Sequence, residues 1–285
     1  MEKAYERLKY IIAVVLYGTI GMFLRYVSLP SEIVAMCRGL IGSLFIFIYM
    51  KITHQKIDRE AIKRNRKWLI LGGICLGLNW VFLFAAYVNT TVAIASLCNY
   101  MAPVIVILVA PFVLYEELDK RKIPCVILAF IGIVLVSNVW EGSIGSISGI
   151  IMGLLGALCF VGVIICNRKL KEISPLDKSL IQLTISVMVI LPFVLVKSVG
   201  RPLEVDLRSF LITLMVGIIN TGLAYVFYFS GMRTLPVLEV AILGYLEPVV
   251  SVLCSVVFLH EKLGFLGWIG AGLILLATIC SEEKE

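Results

Sequence analysis

Residues 78–118 and 223–263 align without a gap at an offset of 145, and both stretches are long apolar runs. Identical pairs include Leu78/Leu223, Val81/Val226, Phe82/Phe227, Phe84/Phe229, Tyr100/Tyr245, Pro103/Pro248 and Glu116/Glu261. A chain that encodes the same apolar unit twice is constrained to fold as two like halves, with an interface between them.

The apolar runs settle the solvent. Sixty percent of the 285 residues are apolar, only 15% are charged, and mean hydropathy is +1.02. Stretches of about 20 apolar residues follow one another, the length that crosses a hydrocarbon layer of about 30 Å. In lipid every backbone amide must be paired within the chain, so only helices or closed barrels can span. These runs are continuous rather than alternating, which excludes a barrel. Breaks at charged and turn-forming residues predict ten spans: 9–26, 33–52, 68–88, 91–114, 121–138, 147–167, 178–197, 209–231, 237–259 and 264–281. The start, MEKAYERLKYIIAVVLYGTIG, reads as the first span rather than a cleaved leader. The eight cysteines sit singly, almost all within apolar runs, and read as small buried hydrophobes. A net charge of +6 is no nucleic-acid signal, because the basic residues flank spans.

Lys and Arg placement sets the orientation. With the N-terminus inside the cytoplasm, 19 of these residues fall on the cytoplasmic side and 5 outside, and Arg38 alone lies within a span. Both termini are then cytoplasmic. Five spans per copy is an odd number, so the second copy enters upside down. The predicted units are residues 1–142 and an inverted 143–285. YEELDKRK (115–122) lies inside, and its counterpart HEKLGFLG (260–267) lies outside. Small residues at Gly73/Gly77, Gly149/Gly153/Gly156 and Gly264/Gly267/Gly270 provide close helix contacts.

A Pro-bearing helix ending in Glu occurs twice, as GYLEPVVSVLCSVVFLHEKL (244–263) and, more loosely, as NYMAPVIVILVAPFVLYEEL (99–118). With LPSEIVAMCRGLIGSL (29–44), these segments resemble the EamA-type ten-helix permeases of the drug/metabolite transporter superfamily. The resemblance spans about 9–281. It implies an all-α integral membrane protein of ten transmembrane helices, arranged as two inverted five-helix repeats, and it implies transport. Arg38 corresponds to that family's second-helix arginine. Tyr17 stands where the family often has Trp, so no role carries over to it.

Ionisable and polar groups within spans need a reason. Glu247 lies about ten residues into its helix, roughly 15 Å deep at 1.5 Å per residue, and Pro248 follows it. A desolvated carboxyl there suits proton exchange or pairing with a cationic ligand. Arg38 keeps its charge and needs an anion, carbonyl acceptors or Glu247; bracing loops at the surface is its structural alternative. Asn79 and Asn220 reach the midplane from opposite faces, with Asn99 near and Gln182 shallower. Their amides either orient a ligand or bridge helices. Trp80, Phe84, Tyr100, Tyr225, Tyr228 and Tyr245 cluster at the same depth, as core or as a pocket wall. Trp68, Trp140 and Trp268 read as interfacial anchors. Glu116 and Glu261 read as caps or ion-pair partners, and Glu239 as a complement to a helix dipole.

The expected substrate-binding set is Glu247, Arg38, Asn79, Trp80, Asn99, Tyr100, Asn220, Tyr225 and Tyr245, with Glu247 also coupling protons. The function expected is secondary transport of a small polar metabolite across the inner membrane, as an amino acid or amine exporter. Neither a phosphate-binding loop nor a catalytic constellation is visible, since His54 and His260 lie in loops on opposite sides. No cofactor, metal or nucleic-acid partner is expected, and the protein is a monomer or homodimer among membrane lipids. An importer of choline-like quaternary amines is the runner-up; a lipid flippase is the alternative class, and a channel or scaffold is weaker still.

Overall fold

The computed structural model describes residues 2–90, 92–115, 120, 123–136, 146–198, 205–259 and 264–280. The first half comprises α1 (Glu2–Leu24), α2 (Ser31–Ile52), α3 (Arg59–Asn89), α4 (Val92–Asn99), α5 (Ala102–Val113) and α6 (Ile123–Val136). The second comprises α7 (Ile147–Lys169), α8 (Pro175–Ser198), α9 (Leu207–Gly217), a π-helical turn (Ile218–Leu223), α10 (Ala224–Thr234), α11 (Val237–Gly244), α12 (Leu246–Leu259) and α13 (Phe265–Cys280). Eight continuous or broken runs of these helices are long and apolar enough to cross a membrane, and α6 and α13 are shorter apolar helices. Six exposed side chains, Leu44, Leu108, Phe112, Leu158, Leu195 and Val196, belong to an apolar surface that suits lipid.

The offset found in residues 78–118 governs the whole element order. Adding 145 to the bounds of α1 gives those of α7, and adding it to α4 gives α11. Packing obeys the same exchange. The third pass of each half lies against the first pass of the other: α3 on α7, and α10 on α1. The two second passes, α2 and α8, meet each other, as do the two fifth passes, α6 and α13. The fold is therefore all-helical, with ten passes in two inverted five-helix repeats.

Two predicted spans are interrupted. The runs 91–114 and 237–259 are not continuous helices, because α4 ends at Asn99 and α11 at Gly244. Each of these lies four residues before a proline, Pro103 and Pro248. A proline ring has no N–H to donate and collides with the carbonyl four residues back. The break falls there in both copies, and α5 and α12 restart with Pro103 and Pro248 in their first turns. The N-termini of α5 and α12 thus lie near mid-membrane, where their partial positive charge faces inward.

Polar ties fasten each half to the other at both ends. Ser28 N donates to Ser209 Oγ at 2.9 Å, and Ser28 Oγ to Asp206 Oδ1 at 3.1 Å, binding the α1–α2 turn to the start of α9. At the opposite end Asn65 Nδ2 donates to Lys171 O at 2.7 Å and Asn65 Oδ1 accepts from Lys171 N at 2.9 Å, binding the α7–α8 turn to the start of α3. All eight cysteines are outside disulfides. Trp268 is exposed at the start of α13, as an interfacial anchor requires. Glu116, Glu261, Trp140 and His260 lie outside the described residues.

Candidate functional site

The breaks in the fourth and ninth passes open onto a cavity of about 520 Å³ between the halves. It runs from Tyr10 and Tyr228, inside the bundle, to Leu24, Arg25 and Ser31 at the α1–α2 turn. Glu247, in the first turn of α12, lines it, as do Ala102 and Pro103 in the first turn of α5. The Glu247 carboxyl meets the Tyr100 hydroxyl and lies within Coulombic range of Arg38. α1 comes close to α12 at this level because position 18 has no side chain. A Cβ at Gly18 would lie 2.6 Å from the Glu247 carbonyl oxygen and 2.7 Å from Val250 Cβ. The approach of α1 sets the width of the cavity beside the carboxylate.

Arg38 lines the cavity from α2. Its guanidinium carbon lies 5.0 Å from the centroid of Trp80, a cation–π distance. Its Nε is buried and makes no hydrogen bond among the described residues. Trp80 and Tyr225 occupy equivalent positions of the two repeats, and both line the cavity. Behind them stands an aromatic floor. Tyr10 and Tyr228 stack with centroids 4.9 Å apart, and Tyr17 lies 5.5 Å from both Tyr225 and Tyr228. Phe160 closes the set at 6.4 Å from Tyr228. The Tyr17 hydroxyl is buried and has no hydrogen-bond partner among the described residues.

The amides divide. Asn79 Nδ2 donates to Asn99 Oδ1 and to the Gly156 carbonyl, both at 2.9 Å, and both asparagines line the cavity. Gly156 makes room for this pair, since a Cβ there would lie 3.3 Å from Asn99 Oδ1. Asn220 does not join them. Its Nδ2 donates to Leu16 O at 2.6 Å and to Thr19 Oγ1 at 2.8 Å, which holds the π-helical turn to α1. Its amide donor is consumed by satisfying buried backbone, as burial in an apolar setting demands. The same device operates twice: an asparagine on the third pass of each half binds a carbonyl on the first pass of the other.

Seven of the nine expected residues therefore line the cavity: Glu247, Arg38, Asn79, Trp80, Asn99, Tyr100 and Tyr225. Tyr245 does not. It is fully buried at the α11–α12 break, and its hydroxyl donates to the Tyr100 carbonyl at 3.3 Å. It joins the two break points. Gln182 also stays clear, accepting from Asn167 Nδ2 at 3.0 Å. Glu239 pairs with Arg7 at 3.2 Å, stronger than the dipole role expected of it alone. Sequence reasoning missed Tyr10, Tyr17, Tyr87 and Phe160 in the lining. The spacing of Tyr10, Val14, Tyr17, Gly21 and Leu24 was the available signal, for it puts them on one stripe of α1.

Two inverted halves around a polar, aromatic cavity agree with the family model that matches residues 8–138 and 147–281, described as an EamA-like transporter family. The chain belongs to the EamA-like transporter family. This makes it a multi-pass membrane transporter. An uncharacterized transporter, YxxF, of Bacillus subtilis is 29% identical, over 96% of this chain and 90% of that protein. Protein PecM of Dickeya dadantii is 25% identical over 75% of this chain and 72% of its own. The pseudopaline exporter CntI of Pseudomonas aeruginosa matches half the chain at 24% identity. A solved crystal structure superposes with a TM-score of 0.84, covering 97% of both chains at 17% identity, a likeness of fold.

Proposed function

We propose that this transporter exports a small zwitterionic metabolite, an amino acid or related amine, across the cytoplasmic membrane by gradient-driven alternating access. The observation that carries the reading is a pair of opposite charges in one mid-membrane cavity: Glu247 on α12 and Arg38 on α2, with aromatic walls between and below them. Charges away from water are tolerated when a ligand or partner meets them. A zwitterion offers an ammonium to Glu247 and a carboxylate to Arg38, whose Nε has no acceptor among the described residues. The Asn79–Asn99 pair supplies an amide edge. Between substrates, Glu247 takes a proton in place of the ammonium, which couples flow to the proton gradient. Export is supported by the naming of one relative as a pseudopaline exporter. The excess of Lys and Arg in alternate loops supports a topology with both termini in the cytoplasm, with repeat units 1–142 and 143–285.

Import of a choline-like quaternary amine is the second reading, favoured by the tyrosine floor beside a single carboxylate. Thermal stabilisation of the purified protein by a ligand panel separates the two. Amino acids or zwitterionic amines raise the unfolding midpoint if the first reading holds. A response to choline-like cations alone, indifferent to the carboxylate, overturns it. Glu247→Gln in proteoliposomes abolishes the dependence of transport on a proton gradient while insertion and folding persist. Undiminished proton-coupled flux in that variant rejects the coupling role.

A further inference from the structure

The inverted repeat allows each end of the pathway to be compared with the other, residue by residue. Leu24, Arg25, Leu83, Phe84, Tyr87 and Ser251 are among the residues that line the cavity. Their repeat counterparts, at the offset of 145, are Lys169, Leu170, Tyr228, Phe229, Met232 and Val106. Of these, Leu170, Phe229, Met232 and Val106 are buried, so the equivalent mouth at the α7–α8 end is shut. Helix packing agrees. At that end α10 packs on α7 and α11 on α5. The counterpart pairs, α3 with α1 and α4 with α12, form no such packing among the described residues.

Three basic side chains make bonds between helices at this end. Arg168 Nη2, near the end of α7, donates to the Leu235 carbonyl between α10 and α11. Lys169 Nζ donates to the Val113 carbonyl at the end of α5, at 2.7 Å. Lys178, on α8 and 1% exposed, donates from Nζ to the Phe229 carbonyl of α10. The repeat positions at the open mouth are Phe23, Leu24 and Ile33, none of which can donate. By contrast, the ties that fasten a turn to the opposite half, Ser28–Ser209 and Asn65–Lys171, occur at both ends. What is common to both ends holds the fold. What differs between them tracks the open and shut states.

We propose that Arg168, Lys169 and Lys178 form a cationic clasp that holds the α7–α8 end of the pathway shut, and that its release opens that end as the α1–α2 mouth closes. The Val113 and Leu235 carbonyls lie at helix ends, where no helical N–H serves them, and can exchange a side-chain donor for water when the end wets, so the clasp is releasable. Charge-assisted bonds of this kind are the ones with enough strength to bias two packings of the same helices. The proposal requires only that the two ends alternate, and no substrate identity.

Hydrogen exchange of the full chain in lipid nanodiscs tests it without a ligand. Lys178→Met, and the milder Lys169→Met, are compared with Lys178→Arg, which keeps a donor. Loss of the clasp speeds exchange over 229–235 and 106–113 by about tenfold, the population ratio that losing one charged hydrogen bond sets. At the same time it slows exchange over 20–31, because the mouth closes in the same molecules. Lys178→Arg keeps the wild-type pattern. If exchange quickens at the α7–α8 end with no protection gained at 20–31, the cations merely cap helix ends. That outcome overturns the proposal, and so does a uniform rise across all passes or no change in either Met variant.

Discussion

Single side chains at this depth are assigned by what satisfies them. Asn79 and Asn220 are alike in residue type and in depth along the third passes, yet only Asn79 reaches the cavity. Each gives its amide hydrogens to a carbonyl of the other half and to one side-chain oxygen, and the side-chain partner differs: Asn79 bonds Asn99, which also lines the cavity, whereas Asn220 bonds Thr19, which does not. Arg38 is held differently, by the face of Trp80 rather than by an acceptor. Its planar guanidinium can stack and still present a fork to a carboxylate, which an ammonium cannot do. Arg38→Lys therefore keeps the charge and the fold but raises KM for a carboxylate-bearing substrate by about tenfold, the scale of a desolvated cation–π contact. A transport assay over a concentration series checks it. An unchanged KM with reduced maximal rate would put Arg38 in the conformational step instead.

At the scale of elements, the two broken passes make the site. Pro103 and Pro248 end α4 and α11 by the same local collision, so the breaks come in pairs and face each other across the pseudo-twofold. Glu247 follows from this arrangement. In the first turn of α12 a carboxylate meets the positive end of the helix dipole, which makes a charged group tolerable there. Tyr245 and Tyr100 then join the two breaks through one hydrogen bond. Replacing Pro248 by Ala restores a donor and removes the ring. The expected variant is more stable, by at most about 3 kcal/mol, the penalty a proline carries inside a helix. Its transport is slower, because a continuous ninth pass loses both the dipole end and the hinge. Thermal unfolding and flux, measured on one preparation, check the opposite signs. Equal losses in both would mean that the break serves stability alone.

Over the whole molecule, the exchange symmetry links topology to mechanism. Two halves of opposite orientation can swap conformations, and the structure holds one of the two arrangements, open at the α1–α2 turn and shut at the α7–α8 turn. Reporter fusions at residues 1 and 285 are expected to give cytoplasmic signals at both ends. Opposite signals would break the inverted arrangement and the assignment of inside and outside with it. Much of this was legible in the chain itself. Ten passes, the offset of 145, and the depth of Glu247, Arg38 and Trp80 follow from run lengths and from proline positions, because apolarity and missing N–H groups act locally. Breaks at Asn99 and Gly244 were implied by the same prolines, although the runs looked continuous. Three matters belonged to the tertiary structure. Packing decided that Asn220 and Tyr245 bond to backbone rather than face the cavity. It brought Tyr10, Tyr17 and Phe160 from separate helices to one floor. It also set which end is shut: only the α7–α8 end carries Arg168, Lys169 and Lys178 in its sequence, but whether they reach carbonyls on neighbouring helices depends on the distance between those helices.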